Sequence, residues 1–340
     1  MLNYDSLDEV SVSWELDGLA VHATLTRPPG DGPFPAIVFV AGSGPTDRDW
    51  NTPLVPGGNG SARLLAQVLT ANGYVTLRYD KRPSGPHAQQ NVQRLAGNIS
   101  MQGHTDELAG AIHLLAQRPD VEPISASLVE PQRIFVLANS EGCIHALNYQ
   151  LHASATPCAG LILTAAPARS IGAVARSQVA AQLAALPDGD VQLAAFDASM
   201  EEFAAGGPVP VDKQSPDVMR MLILGLTNPV NQPFARELWV TDPAALLAMV
   251  TVPVLIVIGQ KDIQVDGLAD GSIFERLAAQ HPNITIVYPE HANHVLKHEP
   301  RPRAQLTAGD ALAAYNAEDA VLDPDTVAAI TAWLQTHGGS

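Results

Sequence analysis

The chain has 340 residues, 46% of them hydrophobic and 16% charged, and carries a formal net charge of −16 with a pI of about 4.9. That length allows one large domain or two ordinary ones, and the hydrophobicity is too high for a disordered chain. The acidic balance repels a phosphate backbone, so nucleic acid is excluded as an expected partner. Its two cysteines, Cys143 and Cys158, sit in apolar surroundings and form no C-x-x-C or Cys/His spacing. Neither a disulfide framework nor a metal centre is expected, which suits a reducing compartment. The N-terminus, Met1 to Glu9, is acidic and lacks the apolar core of a signal peptide. No apolar run approaches the ~20 residues of a membrane helix. The expectation is a soluble cytoplasmic protein with no membrane partner.

Residues 10–28 alternate apolar and polar around Asp17-Gly18, which reads as an antiparallel hairpin. After a Pro/Gly cluster, Ala36 to Ala41 is a continuous apolar run, as in a strand covered on both faces. It opens into Gly42-Ser-Gly-Pro-Thr-Asp-Arg-Asp49. A helix is predicted over 61–72 with Gly73 as its stop, then a strand over 74–79 that closes with Asp80-Lys-Arg-Pro-Ser-Gly85. A polar connection leads to a helix over 104–118, where Leu108, Ile112 and Leu115 share a face. Further strands are predicted at 134–138, 161–167, 254–258 and 284–288, with helices at 270–280 and 324–336. The segment 299–323 reads as a polar connection.

Strands alternating with helices predict an α/β fold: a mostly parallel sheet wrapped on both faces, with the hairpin as its antiparallel edge. The segment 170–248 breaks the rhythm, being Ala-rich and helical with interrupting prolines. It reads as a helical cap inserted in a core of residues 1–169 and 249–340. Its Phe203, Phe234 and Trp239 suggest an apolar pocket; the alternative is extra helices packed at one end with no gating role.

Arg133-Ile-Phe-Val-Leu-Ala-Asn-Ser-Glu-Gly142 organises the candidate chemistry. A buried strand runs into a sharp turn with Ser140 at its tip, and a helical pattern with Ile144, Leu147 and Leu151 follows at once. Strand, turn and helix in that order form the layout of a nucleophile elbow, with Ala138 in place of the first glycine of G-x-S-x-G. The helix start supplies free N–H groups where an oxyanion would form.

In a parallel sheet, ligands bind beyond the carboxyl ends of the strands. Gly42-Ser43-Gly44, Asp80, Ser140, Asp262 and His294 all fall at such ends. Ser140, Asp262 and His294 also follow the chain order of the α/β-hydrolases. A serine hydroxyl needs a neighbouring base, and His294 would accept its proton while Asp262 fixes the imidazole tautomer. Two N–H donors are then required for the tetrahedral oxygen: the backbone of Glu141, and that of Ser43 on the loop that Gly42 and Gly44 open to close approach. Asp266 rivals Asp262, and His291 and His298 rival His294.

Ala41-Gly-Ser-Gly-Pro-Thr-Asp-Arg-Asp49, Arg78-Tyr-Asp-Lys-Arg82, Asn139-Ser-Glu-Gly142, Gly259-Gln-Lys-Asp262 and Asn293-His-Val-Leu296 together resemble bacterial α/β-hydrolase esterases carrying H-G-S-G-P-x-D-R-D, R-Y-D-K-R-G and G-H-S-E-G. The resemblance implies a Ser-His-Asp esterase with a helical cap and no cofactor. It places Ser140, Asp262 and His294 as catalytic and Ser43 and Glu141 as oxyanion donors. Three departures stand out. Ala41 replaces a histidine, Ala138-Asn139 replaces Gly-His, and Pro83-Ser84 interrupts the R-G pair. The last two bear on substrate range more than on the reaction.

Around this site, Asp47, Arg48 and Asp49 are expected to brace the oxyanion loop through an Arg48–carboxylate pair, or else to touch substrate. Asp80 with Arg78 and Arg82 forms a similar network. Asn139 is assigned to the pocket or its support, and Glu141 reads as a buried or ion-paired orienter. Asp106 and Glu107 are read as opening a helix and favouring its dipole. Cys143 and His145 read as packing. The expected reaction is acyl transfer from a small or medium ester to water. Aminopeptidase or amidase, thioesterase, lactone and carbon–carbon cleavage share the same residues, and a non-catalytic ligand-binding relative is the alternative from another class. A homodimer is left open.

Overall fold

The computed structural model describes residues 7–54, 56–118, 120–121, 133–152, 156–209, 217–307, 314–317 and 319–338. Strands β1 (Asp8–Leu16) and β2 (Leu19–Arg27) form the predicted antiparallel hairpin. Asp17 and Gly18 both take positive φ, 52° and 70°, the conformation of a tight turn that matches strand twist. The remaining strands are β3 (Ala36–Val40), β4 (Val75–Tyr79), β5 (Ile134–Asn139), β6 (Gly160–Thr164), β7 (Val254–Val257) and β8 (Ile284–Val287). They form one sheet in the order β1-β2-β4-β3-β5-β6-β7-β8, parallel from β4 onward.

The strand sequences explain their places. β3, β4, β5 and β6 are buried at every residue, as a sheet covered on both faces demands. β1, mostly exposed, lies at the edge. Alternate residues face opposite layers. Val38, Leu77, Val136, Leu161 and Ile256 pack under α3 (Met101–Ala116), α4 (Gly142–His152) and α10 (Ala269–Ala278). Ile37, Phe39, Phe135, Ile162 and Leu255 pack against α1 (Ser61–Ala71) and the last helix, α11 (Pro324–His337).

Two helix expectations need correction. α2 (Ala88–Leu95) occupies the stretch predicted as a polar connection. Only Asn91 and Leu95 of it are buried, so it has almost no apolar stripe to read. α3 begins at Met101 rather than 104, because the Ser100 side chain caps it by accepting from the Gly103 N–H at 3.0 Å. Glu107 therefore sits in mid-helix and is buried, not in the first turn where its charge would meet the dipole.

Between β6 and β7 run α5 (Ile171–Leu183), α6 (Gly189–Ala204), α7 (Asp217–Leu226), α8 (Phe234–Val240) and α9 (Pro243–Ala248). The first four share a small core of their own, including Val179, Phe196, Met200, Phe203 and Trp239. Leu247 of α9 belongs instead to the main sheet core. Residues 210–216 lie outside the described residues. Among the described residues, no helix is long and apolar enough to cross a membrane.

Candidate active site

Ser140 stands between β5 and α4 with φ 53°, a left-handed conformation that costs a non-glycine residue on the order of 1–3 kcal/mol. Neighbouring backbone holds it there. Its N–H donates to the Thr164 carbonyl at 2.9 Å, and its carbonyl accepts from Cys143 at 3.0 Å. Gly142 permits the turn to lie against β3, since a Cβ there would stand 2.7 Å from the Ala41 carbonyl oxygen and 2.8 Å from that of Val40. Ala138 is fully buried in the strand, paired with Val40 and Leu163, and its methyl group is accommodated.

Asn139 is 5% exposed and its amide nitrogen is committed to two acceptors. Nδ2 donates to Thr164 Oγ1 at 3.1 Å and to the His294 carbonyl at 3.2 Å. Thr164 Oγ1 in turn donates to the Ala138 carbonyl. Asn139 thus ties the elbow strand to the loop that carries His294.

That loop follows β8. Gly259 at the end of β7 lets it pass, because a Cβ there would collide with the Ala292 carbonyl. The Lys261 N–H donates to the same carbonyl at 3.0 Å. This close approach sets His294 Nδ1 2.8 Å from Asp262 Oδ2. Asp262 is fully buried, and its Oδ1 accepts from the Gln264 and Val265 N–H groups at 2.7 and 3.0 Å. With the carboxylate as acceptor, Nδ1 is the donor and Nε2 keeps the lone pair that a base requires. The rivals are occupied elsewhere. Asp266 accepts from the Leu268 and Ala269 N–H groups, and His298 faces Asp323 at 3.3 Å beside His291.

Ser140 and His294 line one cavity of about 420 Å³ with Gly42, Ser43 and Asn139. Gln264 and Tyr315 line it too, joined by a hydrogen bond of 3.2 Å. Neither was legible in the sequence: Gln264 is one more polar loop residue, and Tyr315 falls in the segment read as a connection. Among the described residues, neither the Ser43 nor the Glu141 N–H is taken by a backbone acceptor. Asp80 holds the loop that contains Ser43 and Gly44. Its carboxylate accepts from the Arg48 N–H, Nε and Nη2, the last at 2.6 Å. Asp47 accepts from the Asp49 and Asn51 N–H groups. Gly85, with φ 68°, packs over the Asp80 carboxylate, where a Cβ would stand 2.5 Å from Cγ. Pro83-Ser84 therefore displaces the glycine of the R-G pair along the chain. Arg78 pairs instead with Asp49 and Glu9, and Arg82 with Glu107 and Asp17.

Beneath the elbow lies a buried ionic network. Lys81 Nζ donates to the Gly42 carbonyl at 2.6 Å and stands 3.4 Å from Glu141 Oε1. His145 Nε2 is 3.3 Å from the same oxygen. Burial alone would raise the Glu141 carboxyl, but Lys81 and His145 outweigh it and hold it well below the usual range. Burial brings the His145 ring down to about 4 against the opposing pull of Glu141. Glu107, which burial would also raise, is brought to about 2 by His104 and Arg82. Burial pushes the Cys143 thiol up, so it carries no thiolate for nucleophilic attack.

Lys81, His104 and Glu141 also floor a second cavity of about 370 Å³, adjoining Gly44 and Pro45. Ile99, Ile171, Phe234 and Leu238 wall it, so α5 and α8 both contribute to its lining. Among the described residues, no group of three or more His, Cys, Asp or Glu could hold a metal ion.

This arrangement has known relatives. Esterase EstD of Thermotoga maritima is 26% identical over 280 residues, 80% of this chain and 57% of that protein. The chain thus spans little more than half the length of that curated relative. Among solved structures, a proline iminopeptidase of Mycobacterium smegmatis aligns with a TM-score of 0.55 at 14% identity, covering 97% of this chain and 99% of that one. A thermophilic esterase from Thermogutta terrifontis aligns at 0.53 and 18% identity, covering 98% and 100%. At these identities the two structures share the fold alone. The model of the alpha/beta hydrolase family matches residues 37–308, and with the strand order and elbow described above, the chain belongs to that family.

Proposed function

We propose that this chain is a serine esterase. Ser140 attacks the ester carbonyl while His294 Nε2 takes its proton, and Asp262 stabilises the imidazolium that forms. The Ser43 and Glu141 N–H groups receive the charge on the carbonyl oxygen. The alcohol leaves with the proton from His294. The same imidazole then activates water against the acyl-enzyme. One observation carries this reading: a strained Ser140 shares a cavity with a histidine already hydrogen-bonded to a fully buried aspartate.

In this reading α5 to α8 form a cap, with its own core, over the carboxyl edge of the sheet. The apolar walls of the second cavity favour a hydrocarbon acyl or alcohol group beside the oxyanion loop. An aminopeptidase needs an acidic partner for a substrate ammonium. Among the described residues, the Ser140 cavity is lined by no carboxylate, and Glu141 in the other is taken by Lys81. This favours the esterase over the peptidase reading. The test is hydrolysis of p-nitrophenyl acetate and butyrate by the wild type and by Ser140→Ala. Turnover by the wild type that is lost in the variant supports the reading. Equal activity in both would remove it.

A further inference from the structure

The Gly42 carbonyl and the Ser43 N–H belong to one peptide unit, which is trans and planar, so they point in opposite directions. The peptide sits close to the nucleophile, since a Cβ on Gly42 would stand 3.2 Å from both the Asn139 carbonyl oxygen and Ser140 Cβ. The Lys81 ammonium grips its carbonyl at 2.6 Å. Lys81 is 3% exposed, so this charge-assisted bond acts without competition from bulk water. It fixes the peptide plane and draws electron density towards the carbonyl oxygen, which strengthens the N–H on the other side as a donor. The other charge partner of Lys81 is Glu141, 2% exposed, whose backbone supplies the second candidate donor.

We propose that Lys81 is a positioning residue that sets both halves of the oxyanion hole at once, the Ser43 N–H through the Gly42 carbonyl and the Glu141 N–H through the Glu141 carboxylate. The proposal rests on the assignment of Ser140 as nucleophile. It also accounts for an ion pair in a place where burial makes charge costly. An apolar pair of the same volume would serve stability equally well or better, but could not orient a peptide.

The test follows from that contrast. Lys81→Met alone leaves the buried Glu141 charge with no cation beside it, only the His145 hydrogen bond, so the informative variant is Lys81→Met/Glu141→Gln, which removes both charges and keeps the volume. It is expected to fold with a Tm close to that of the wild type. Its kcat on p-nitrophenyl butyrate should fall about 10²-fold, the scale of one lost oxyanion donor, with KM little changed. Inhibition by a trifluoromethyl ketone, which forms a tetrahedral oxyanion adduct on the serine, should weaken in step with kcat/KM. A purely structural role would lower Tm and leave kcat per folded molecule and inhibitor affinity unchanged, and that result would overturn the proposal. Glu141→Gln alone keeps Lys81 on the Gly42 carbonyl and guards against a double variant that does not fold. It should lose about 10-fold in kcat, the worth of one charged hydrogen bond, and an unchanged kcat would also overturn the proposal. If the wild type does not hydrolyse esters through Ser140, the nucleophile assignment fails and this one with it. If it does, and the variants match it, the failure belongs to Lys81 alone.

Discussion

Replacing His145 by Gln should flatten the acid side of the stability profile. His145 is 1% exposed in the first turns of α4, with its rings against His104 and Phe234. Glu141 accepts from Nε2, and among the described residues Nδ1 has no partner. A second proton would therefore be buried on Nδ1 beside the Lys81 ammonium without an acceptor. This is why burial brings the ring down to about 4, from about 6.5 in an unfolded chain. With the folded value below the unfolded one, the unfolded state binds more protons between these limits, and stability falls with pH. The contribution is complete above about pH 6.5 and is lost as pH falls through about 4. It amounts to about 3 kcal/mol in all, of which about 2 kcal/mol is gone by pH 5. Gln keeps a donor for Glu141 and does not titrate. Urea unfolding of both proteins at pH 7, 6 and 5 reads the effect as a difference in slope, and titrating groups remote from His145 cancel between them. The variant should lose about 2 kcal/mol less than the wild type from pH 7 to pH 5. Parallel declines would show that the ring accepts its proton in the folded state at an ordinary pH, and would refute the account of this network.

Three other outcomes can be measured. Asp262→Asn should keep the fold but leave His294 in the wrong tautomer, lowering kcat about 10⁴-fold in steady-state assays. Asp80→Asn removes the anchor of Arg48, whose side chain is 19% exposed, and should cost about 2 kcal/mol in thermal or urea unfolding. Phe234→Ala opens the wall of the second cavity and should raise the octanoate-to-butyrate ratio of kcat/KM about 10-fold. An unchanged ratio would place the acyl chain elsewhere.

Much of this architecture is legible in the sequence for physical reasons. Ala36–Val40, residues 134–138 and Val254–Val257 are unbroken apolar runs because both of their faces are covered. Asp17-Gly18 marks a turn because both residues tolerate positive φ. Ser140, Asp262 and His294 stand out because each follows a strand, and a parallel sheet gathers strand ends. The charged residues are harder to read. Glu107 looks like a helix-opening acid until Ser100 is seen to cap the helix earlier, and while His104 stands one turn before it on the same helix, its other partner Arg82 lies 25 positions away. Arg48 and Asp80 meet across 32 positions, and Lys81 reaches Gly42 across 39. No periodicity encodes such pairings. Asn139 is conspicuous as a departure from the motif the sequence resembles, but its hydrogen bond to the His294 carbonyl depends on a loop 155 residues away.

The central claim is that Ser140 is the nucleophile and His294 its base. Labelling with a fluorophosphonate, followed by peptide mass spectrometry, tests it most directly. The account predicts a single covalent adduct on Ser140 in the wild type, none in Ser140→Ala, and strongly slowed labelling in a folded His294→Ala. An adduct on another residue, or labelling at the wild-type rate without His294, would contradict it.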